Sequence, residues 1–154
     1  MDILGGGDLT IQGNGPGSTI VDGGGVDRVF HVCPGGGCDY TVTLNGLTVR
    51  NGRPYGFALG GGIYNGGATL NVESSAIGEP DAGNEAALGG GIGNGFSGTT
   101  VVDDTAIVAN TAVLGGGILN YGGTLTVQNG SMVGQLGAGN SAVSGGGIDN
   151  WEGG

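Results

Sequence analysis

Apolar and polar residues alternate over short stretches of this chain, and each stretch is cut off by glycine. Thr69-Leu70-Asn71-Val72-Glu73 and Thr124-Leu125-Thr126-Val127-Gln128 put apolar side chains on one face and polar ones on the other, the period of a half-buried strand. No segment sustains the i, i+3, i+4, i+7 stripe of an amphipathic helix. The longest glycine-free run, Thr99 to Leu114, is crowded with β-branched residues, which pack well on a pleated surface. The pattern predicts an all-β protein.

The strands recur. GGGIxN occurs four times, and its isoleucines, Ile63, Ile92, Ile118 and Ile148, are 29, 26 and 30 residues apart. A second apolar column holds Leu70, Thr100 and Leu125, and a third, two residues on, Val72, Val102 and Val127. Five residues later come Ile77, Ile107 and Met132. Val42, Leu44 and Val49 repeat this spacing earlier. A degenerate copy opens at Leu9 and Ile11, with Ile20 expected in its third position after the insert Gly13 to Gly17. Phe30 takes the isoleucine position of an earlier repeat. Asn84, Asn110 and Asn140 each precede their isoleucine by eight residues, and the length variation is confined to the segments just before them.

Three short strands per repeat cannot form meander hairpins and keep one apolar column aligned, whereas coiling can. Each strand then pairs in parallel with its counterpart one coil away, about 4.8 Å along the axis. Parallel crossovers are overwhelmingly right-handed. The expected fold is therefore a right-handed parallel β-helix, or β-solenoid, of about five coils of 26–33 residues. Residues 1–154 form one domain: 1–52 are degenerate N-terminal coils with a cysteine loop, and 53–154 are regular GGGIxN coils. Ile63, Ile92, Ile118, Ile148, Leu70, Leu125, Val72, Val102, Val127, Ile77, Ile107 and Met132 form the predicted core stack. Asn65, Asn94, Asn120 and Asn150 recur at one corner, where stacked side-chain amides form a ladder from coil to coil. Ser74, Asp104 and Asn129 mark a second turn column.

Composition narrows the function. Forty-two glycines do not fall at every third position, which excludes collagen. Thirteen Asp and Glu face three Arg and no Lys, for a net charge of −10, so nucleic acid and anionic membrane surfaces are poor partners. No apolar run approaches the length of a membrane-spanning helix, and Met1 to Gly5 carries no signal-peptide features. The chain is expected to be a mature or excised piece of a secreted protein.

Cys33 and Cys38 bracket Pro34-Gly35-Gly36-Gly37 and suit a disulfide, which implies an oxidising compartment. Free thiols or half a metal site are the alternatives, but zinc needs four ligands and the chain has one histidine, His31. Asp22 to Asp27 misses the calcium-binding GGxGxD pattern by one residue. Asp103 and Asp104, Ser74, Ser75 and His31 form no catalytic constellation. No enzyme activity, metal or cofactor is expected. Tyr64, Tyr121 and Trp151 flank ladder asparagines, either as turn packing or as a contact surface for another chain.

The run GGGIxN, G(A/T)TLxV, (A/S)(I/M) and NxA, carried by Gly60 to Asn65, Thr69 to Val72 and Ala76-Ile77 and by the coils that follow, resembles the glycine-rich parallel β-helix repeats of polymorphic outer-membrane proteins and related bacterial surface or secreted proteins. Leu9 to Gly13, Val21 to Gly24, Arg28 to Val32 and Val42 to Val49 resemble the first coils of such proteins. The likeness spans nearly the whole chain. It implies the β-helix fold and a place at the cell surface. The adhesive tetrapeptides of that family differ here: GGA(I/L/V) becomes GGGI, and Phe30, Phe57 and Phe96 are not followed by Asn at the third position.

The opening Ile3-Leu4 to Gln12 is similar to Ile118 to Gln128, so it reads as the continuation that Ile148 to Gly154 lacks. Ile3, Leu4, Leu9, Ile11, Ile148 and Trp151 form the candidate subunit interface. The expected function is a non-catalytic extracellular structural protein whose subunits stack head to tail into a filament or surface layer. The second reading is an adhesive passenger fragment of a larger cell-surface, autotransporter-like protein with a cell-surface or glycan ligand. A polysaccharide-acting β-helix enzyme is more remote. Ice binding through Thr69, Thr100 and Thr124 lacks a regular TxT array.

Overall fold

The computed structural model describes residues 1–151; Glu152 to Gly154, the tail of the last repeat, lie outside the described residues. Eighteen short strands and no helix make up the described chain. Sheet A contains β1 (Asp2–Ile3), β4 (Phe30–Val32), β7 (Ile63–Asn65), β10 (Ile92–Asn94), β14 (Ile118–Tyr121) and β18 (Ile148–Trp151), stacked in that order. Sheet B stacks β2 (Leu9–Gln12), β5 (Thr41–Asn45), β8 (Thr69–Glu73), β11 (Thr99–Asp103) and β15 (Thr124–Gln128). Sheet C stacks β3 (Ile20–Asp22), β6 (Thr48–Arg50), β9 (Ala76–Ile77), β12 (Ala106–Ile107) and β16 (Met132–Val133). Every pairing is parallel and joins strands one coil apart, so the molecule is a β-solenoid of about five coils.

The register superposes like on like. Phe30, Ile63, Ile92, Ile118 and Ile148 form one column through sheet A. Leu9, Val42, Leu70, Thr100 and Leu125 form another in sheet B, beside Ile11, Leu44, Val72, Val102 and Val127. The middle coils bury these side chains completely, and each apolar one contributes about 1.5–3 kcal/mol of transfer free energy. The stack is not buried to its top: Val127 is 36% and Ile148 41% exposed, because the fifth coil and β18 have nothing above them among the described residues.

Three expected placements change, two of them by a single residue. Sheet C carries Val21, Val49, Ile77, Ile107 and Val133 inward, so Val133 replaces Met132 in the core stack and Val21 replaces Ile20. Met132 pairs with Ala106 on the outer face, 39% exposed. The cause is one extra turn residue in Asn129-Gly130-Ser131, which delays the strand by one position and so turns every side chain to the other face. In sheet B, Thr100 points inward in the column of Leu70 and Leu125, as its spacing predicts; Thr99 is the residue that aligns with Thr69 and Thr124 on the outer face, so the three threonines of the ice-binding reading do not share a face. At the start, Ile3 falls in the asparagine column, opposite Val32, and not in the isoleucine column.

Coils four and five also have a fourth strand each, β13 (Thr111–Leu114) and β17 (Ser141–Ser144), paired in parallel as sheet D. Single bridges Leu59 to Leu88, Leu88 to Leu114 and Glu85 to Thr111 extend that side back to earlier coils.

The glycine triplets form the corner from the sheet D side into sheet A. Gly89 sits at φ +66°, which L side chains rarely adopt. Gly90 is excluded from any larger residue for a different reason: a Cβ there would stand 2.5 Å from the carbonyl oxygens of both Gly116 and Thr111. The coils approach so closely at this corner that only backbone fits.

Candidate functional site

Two asparagine ladders run along the axis. In the first, Asn65 Nδ2 donates to Asn94 Oδ1 (3.2 Å), Asn94 to Asn120 (2.7 Å) and Asn120 to Asn150 (2.7 Å). Each amide also donates to a backbone carbonyl of its own corner, Ala68, Gly98 or Gly123. Thr100 explains itself here: its inward hydroxyl donates to Asn94 Oδ1 at 2.7 Å and accepts from Asn65 Nδ2 at 3.1 Å, binding the ladder where Leu70 and Leu125 are apolar. The second ladder joins Asn84 to Asn110 (2.9 Å) and Asn110 to Asn140 (3.1 Å). A third column was not recognised in the sequence. Ser75, Thr105 and Ser131 hydroxyls accept the backbone N–H of Leu47, Ser75 and Thr105 in the coil below, each at 3.2 Å. Ser74, Asp104 and Asn129 hold the expected turn column at φ 43°, 45° and 49°.

Cys33 and Cys38 form a disulfide with Cα atoms 6.1 Å apart, closing the loop before β5. Cys33 is buried in the core. A crosslink of this short span stabilises by about 2 kcal/mol through the unfolded chain. Reduction in mild denaturant should therefore lower the melting temperature measurably while leaving far-ultraviolet circular dichroism unchanged; an unmoved transition would show the bridge to be inert.

The three arginines tie neighbouring coils together. Arg50 reaches Asp22 (2.8 Å) on one side and Glu79 (2.7 Å) on the other, and these hydrogen bonds raise its pKa. Arg53 pairs with Glu85 at 3.0 Å. Arg28 donates to Leu59 O and lies 5.4 Å above the Tyr64 ring, which also contacts His31. The Gly24 N–H, then Arg50 and Asn51, hold Asp22 below its ordinary carboxylate range.

His31 is pushed below its ordinary value, first by burial and then by the Arg28 charge, and these outweigh Asp2 at 3.4 Å. Its Nε2 is buried and has no hydrogen-bond partner among the described residues. A histidine with a depressed folded pKa favours the fold while it is neutral. Below the unfolded value of 6.5 the unfolded chain takes up a proton that the folded chain resists, so stability falls as pH drops from there toward the lower folded value. Denaturation midpoints measured from pH 7 to 5 should decline, and His31→Gln should flatten that slope; parallel slopes would remove His31 as its source.

Asp103 accepts from Gln128 and Asn129 on the outer face, and Asp104 occupies a left-handed turn position. Among the described residues, no group of three His, Cys, Asp or Glu stands at metal-binding spacing.

The densest feature that is not part of the coil scaffold is aromatic. Tyr121 stacks on Trp151 of the next coil at 5.7 Å, and Phe96 meets Tyr121 edge-on at 4.6 Å. Tyr121, Trp151 and Phe57 rim an apolar slot of about 210 Å³ floored by Leu88, Leu114 and Leu119. Sequence reasoning found Tyr121 and Trp151 from their place after ladder asparagines. Phe96, two residues beyond Asn94, carried a similar signal. Phe57 comes from an irregular loop and carried none. Tyr64 lies elsewhere, with Arg28 and His31. Of the candidate interface residues, Leu4, Leu9, Ile148 and Trp151 are exposed, Ile11 is half-buried, and Ile3 is buried.

No protein-family model, curated protein or solved structure matches the chain.

Proposed function

We propose that the protein is a non-catalytic structural element of an extracellular or cell-surface environment, which assembles by continuing its parallel sheets end to end with a second copy. The carrying observation is the upper face of the last coil. Val127 and Ile148, core residues in the repeat, are more than a third exposed there, and the edges of β15 to β18 are unpaired among the described residues. An open sheet edge with exposed apolar side chains is a template for another strand layer. The opposite face offers β1, β2 and β3, with the inward Leu9 39% exposed and Ile11 and Val21 only partly buried. The disulfide favours an oxidising compartment. The joint has one geometric demand. Sheet A holds six strands against five in sheets B and C, so β18 of one copy and β1 of the next fall in a single layer. The two-residue β1 is the one displaced, and β18 then pairs with β4 of the next copy.

Electron microscopy and fibre diffraction of the purified chain test this reading. Unbranched fibres with a reflection near ~4.8 Å along the axis are expected, and Ile148→Asp should abolish them. Discrete particles at the highest soluble concentration would overturn it.

The aromatic slot supports a second reading, an adhesive surface of a larger cell-surface protein like those its repeats resemble. Under that reading the chain binds cells or glycans as a monomer, and Trp151→Ala abolishes binding.

A further inference from the structure

An end-to-end joint fixes a register, because each column of the solenoid then has a next member. Continued from one copy to the next, sheet B sets Leu125 on Leu9 and Val127 on Ile11 along the inner face. Sheet C sets Val133 on Val21 inside and Met132 on Ile20 outside. Sheet A sets Ile148 on Phe30, in the isoleucine column. Leu9, Ile20, Val127, Met132 and Ile148 are each more than a third exposed in the single chain, and each gains an apolar partner in this register. The same step brings Asp149, one residue beyond Ile148, opposite His31.

In the single chain that place is taken. Asp2 of β1 lies opposite His31 in the same register, its carboxylate 3.4 Å from His31 Nδ1. With Nε2 unpartnered among the described residues, Nδ1 is the polar handle of the ring. The backbone matches as well. The N–H groups of His31 and Cys33 donate to Met1 O and Ile3 O at 2.9 and 3.0 Å. In the joint, Ile148 O and Asn150 O stand in those positions. β1 holds this edge by little: it is two residues long, Asp2 is 64% exposed, and buried Ile3 is its one anchor in the core. We propose, resting on the end-to-end reading, that β1 is an internal substitute for β18 of a second copy, and that Asp149 is the residue by which the incoming strand is recognised at His31. The edge of β4 accepts one of two strands, its own β1 or a neighbour's β18, and each carries an aspartate at the same position. Seating the second displaces the first, so the hold of β1 sets the concentration at which copies join.

The critical concentration for fibre formation by the full chain, read from the soluble fraction after sedimentation, tests the exchange. Two chemically identical substitutions have opposite expected effects. Asp149→Asn should raise the critical concentration about tenfold, because the joint loses a charge-assisted contact formed between coils. Asp2→Asn should lower it about threefold, because it loosens only the exposed contact that holds β1. Removing one carboxylate from a chain of net charge −10 would by itself lower it in both cases. Asp2 is exposed and Asp149 half-buried, so both variants should keep the fold, which circular dichroism verifies. In a His31→Leu background the two substitutions should act alike; should His31→Leu not fold, the opposite signs alone decide. Shifts in the same direction overturn the exchange, as does a difference that survives His31→Leu, and in either case wild-type fibres leave end-to-end stacking standing. A wild type that forms no fibres at any concentration overturns the stacking and the exchange with it.

Discussion

Asn94→Ala should cost about 4 kcal/mol or more, measured as the shift in the urea midpoint, and should expose amides of coils three to five to hydrogen exchange. Asn94 is fully buried and sits mid-ladder. Its Nδ2 donates to Gly98 O, Asn120 Oδ1 and Thr124 O, and its Oδ1 accepts from Asn65 and Thr100. Truncation leaves several of these partners unpaired away from water, at about 1–3 kcal/mol for each that finds no substitute. A loss that size is a large part of the 5–15 kcal/mol that typically holds a domain together. Asn150→Ala is the control: it ends the ladder at the exposed top and should cost about 1 kcal/mol. Equal losses at the two positions would mean that the ladder is not a cooperative, buried device.

Gly90→Ala should be as damaging, by repulsion rather than loss. The new methyl group would meet two backbone oxygens at 2.5 Å, those of Gly116 and Thr111, and neither can rotate away as a side chain could. The coils must part at that corner, lengthening the bonds Gly90 N to Gly115 O and Gly91 N to Gly116 O, both near 3 Å. A cost of about 3 kcal/mol or more follows from overpacking a site with no flexible neighbour. Gly139→Ala, with open space around it, should be nearly neutral in the same assay. If Gly90→Ala unfolds at the wild-type midpoint, the corner is not as closely packed as the geometry states.

The winding was legible because its causes are local and repeated. Ile63, Ile92, Ile118 and Ile148 announce one inward column, and the ladder asparagines two residues on inherit its register. The disulfide could be read from a loop too short for much else. What slipped was parity. Val133 and Val21 displaced Met132 and Ile20 because a single turn residue decides which face a strand presents, and apolar residues stood at both positions. Thr100 kept the parity its spacing gave it, in line with Leu70 and Leu125, while its neighbour Thr99 faces outward beside Thr69 and Thr124. Sheet D hid because its strands lack the TLxV signature and appear only where consecutive corner loops allow pairing. The aromatic slot draws Phe57 from an irregular loop across to Trp151, a contact that no spacing encodes.

Because every strand bonds only to the windings directly before and after it, tension applied to the two termini loads one winding at a time. A single molecule stretched in this way should yield in a sawtooth, each tooth releasing one repeat of roughly 30 residues, or about 100 Å of contour. The second winding should come up short of that by the few residues shackled between Cys33 and Cys38, a built-in mark of which end has given way.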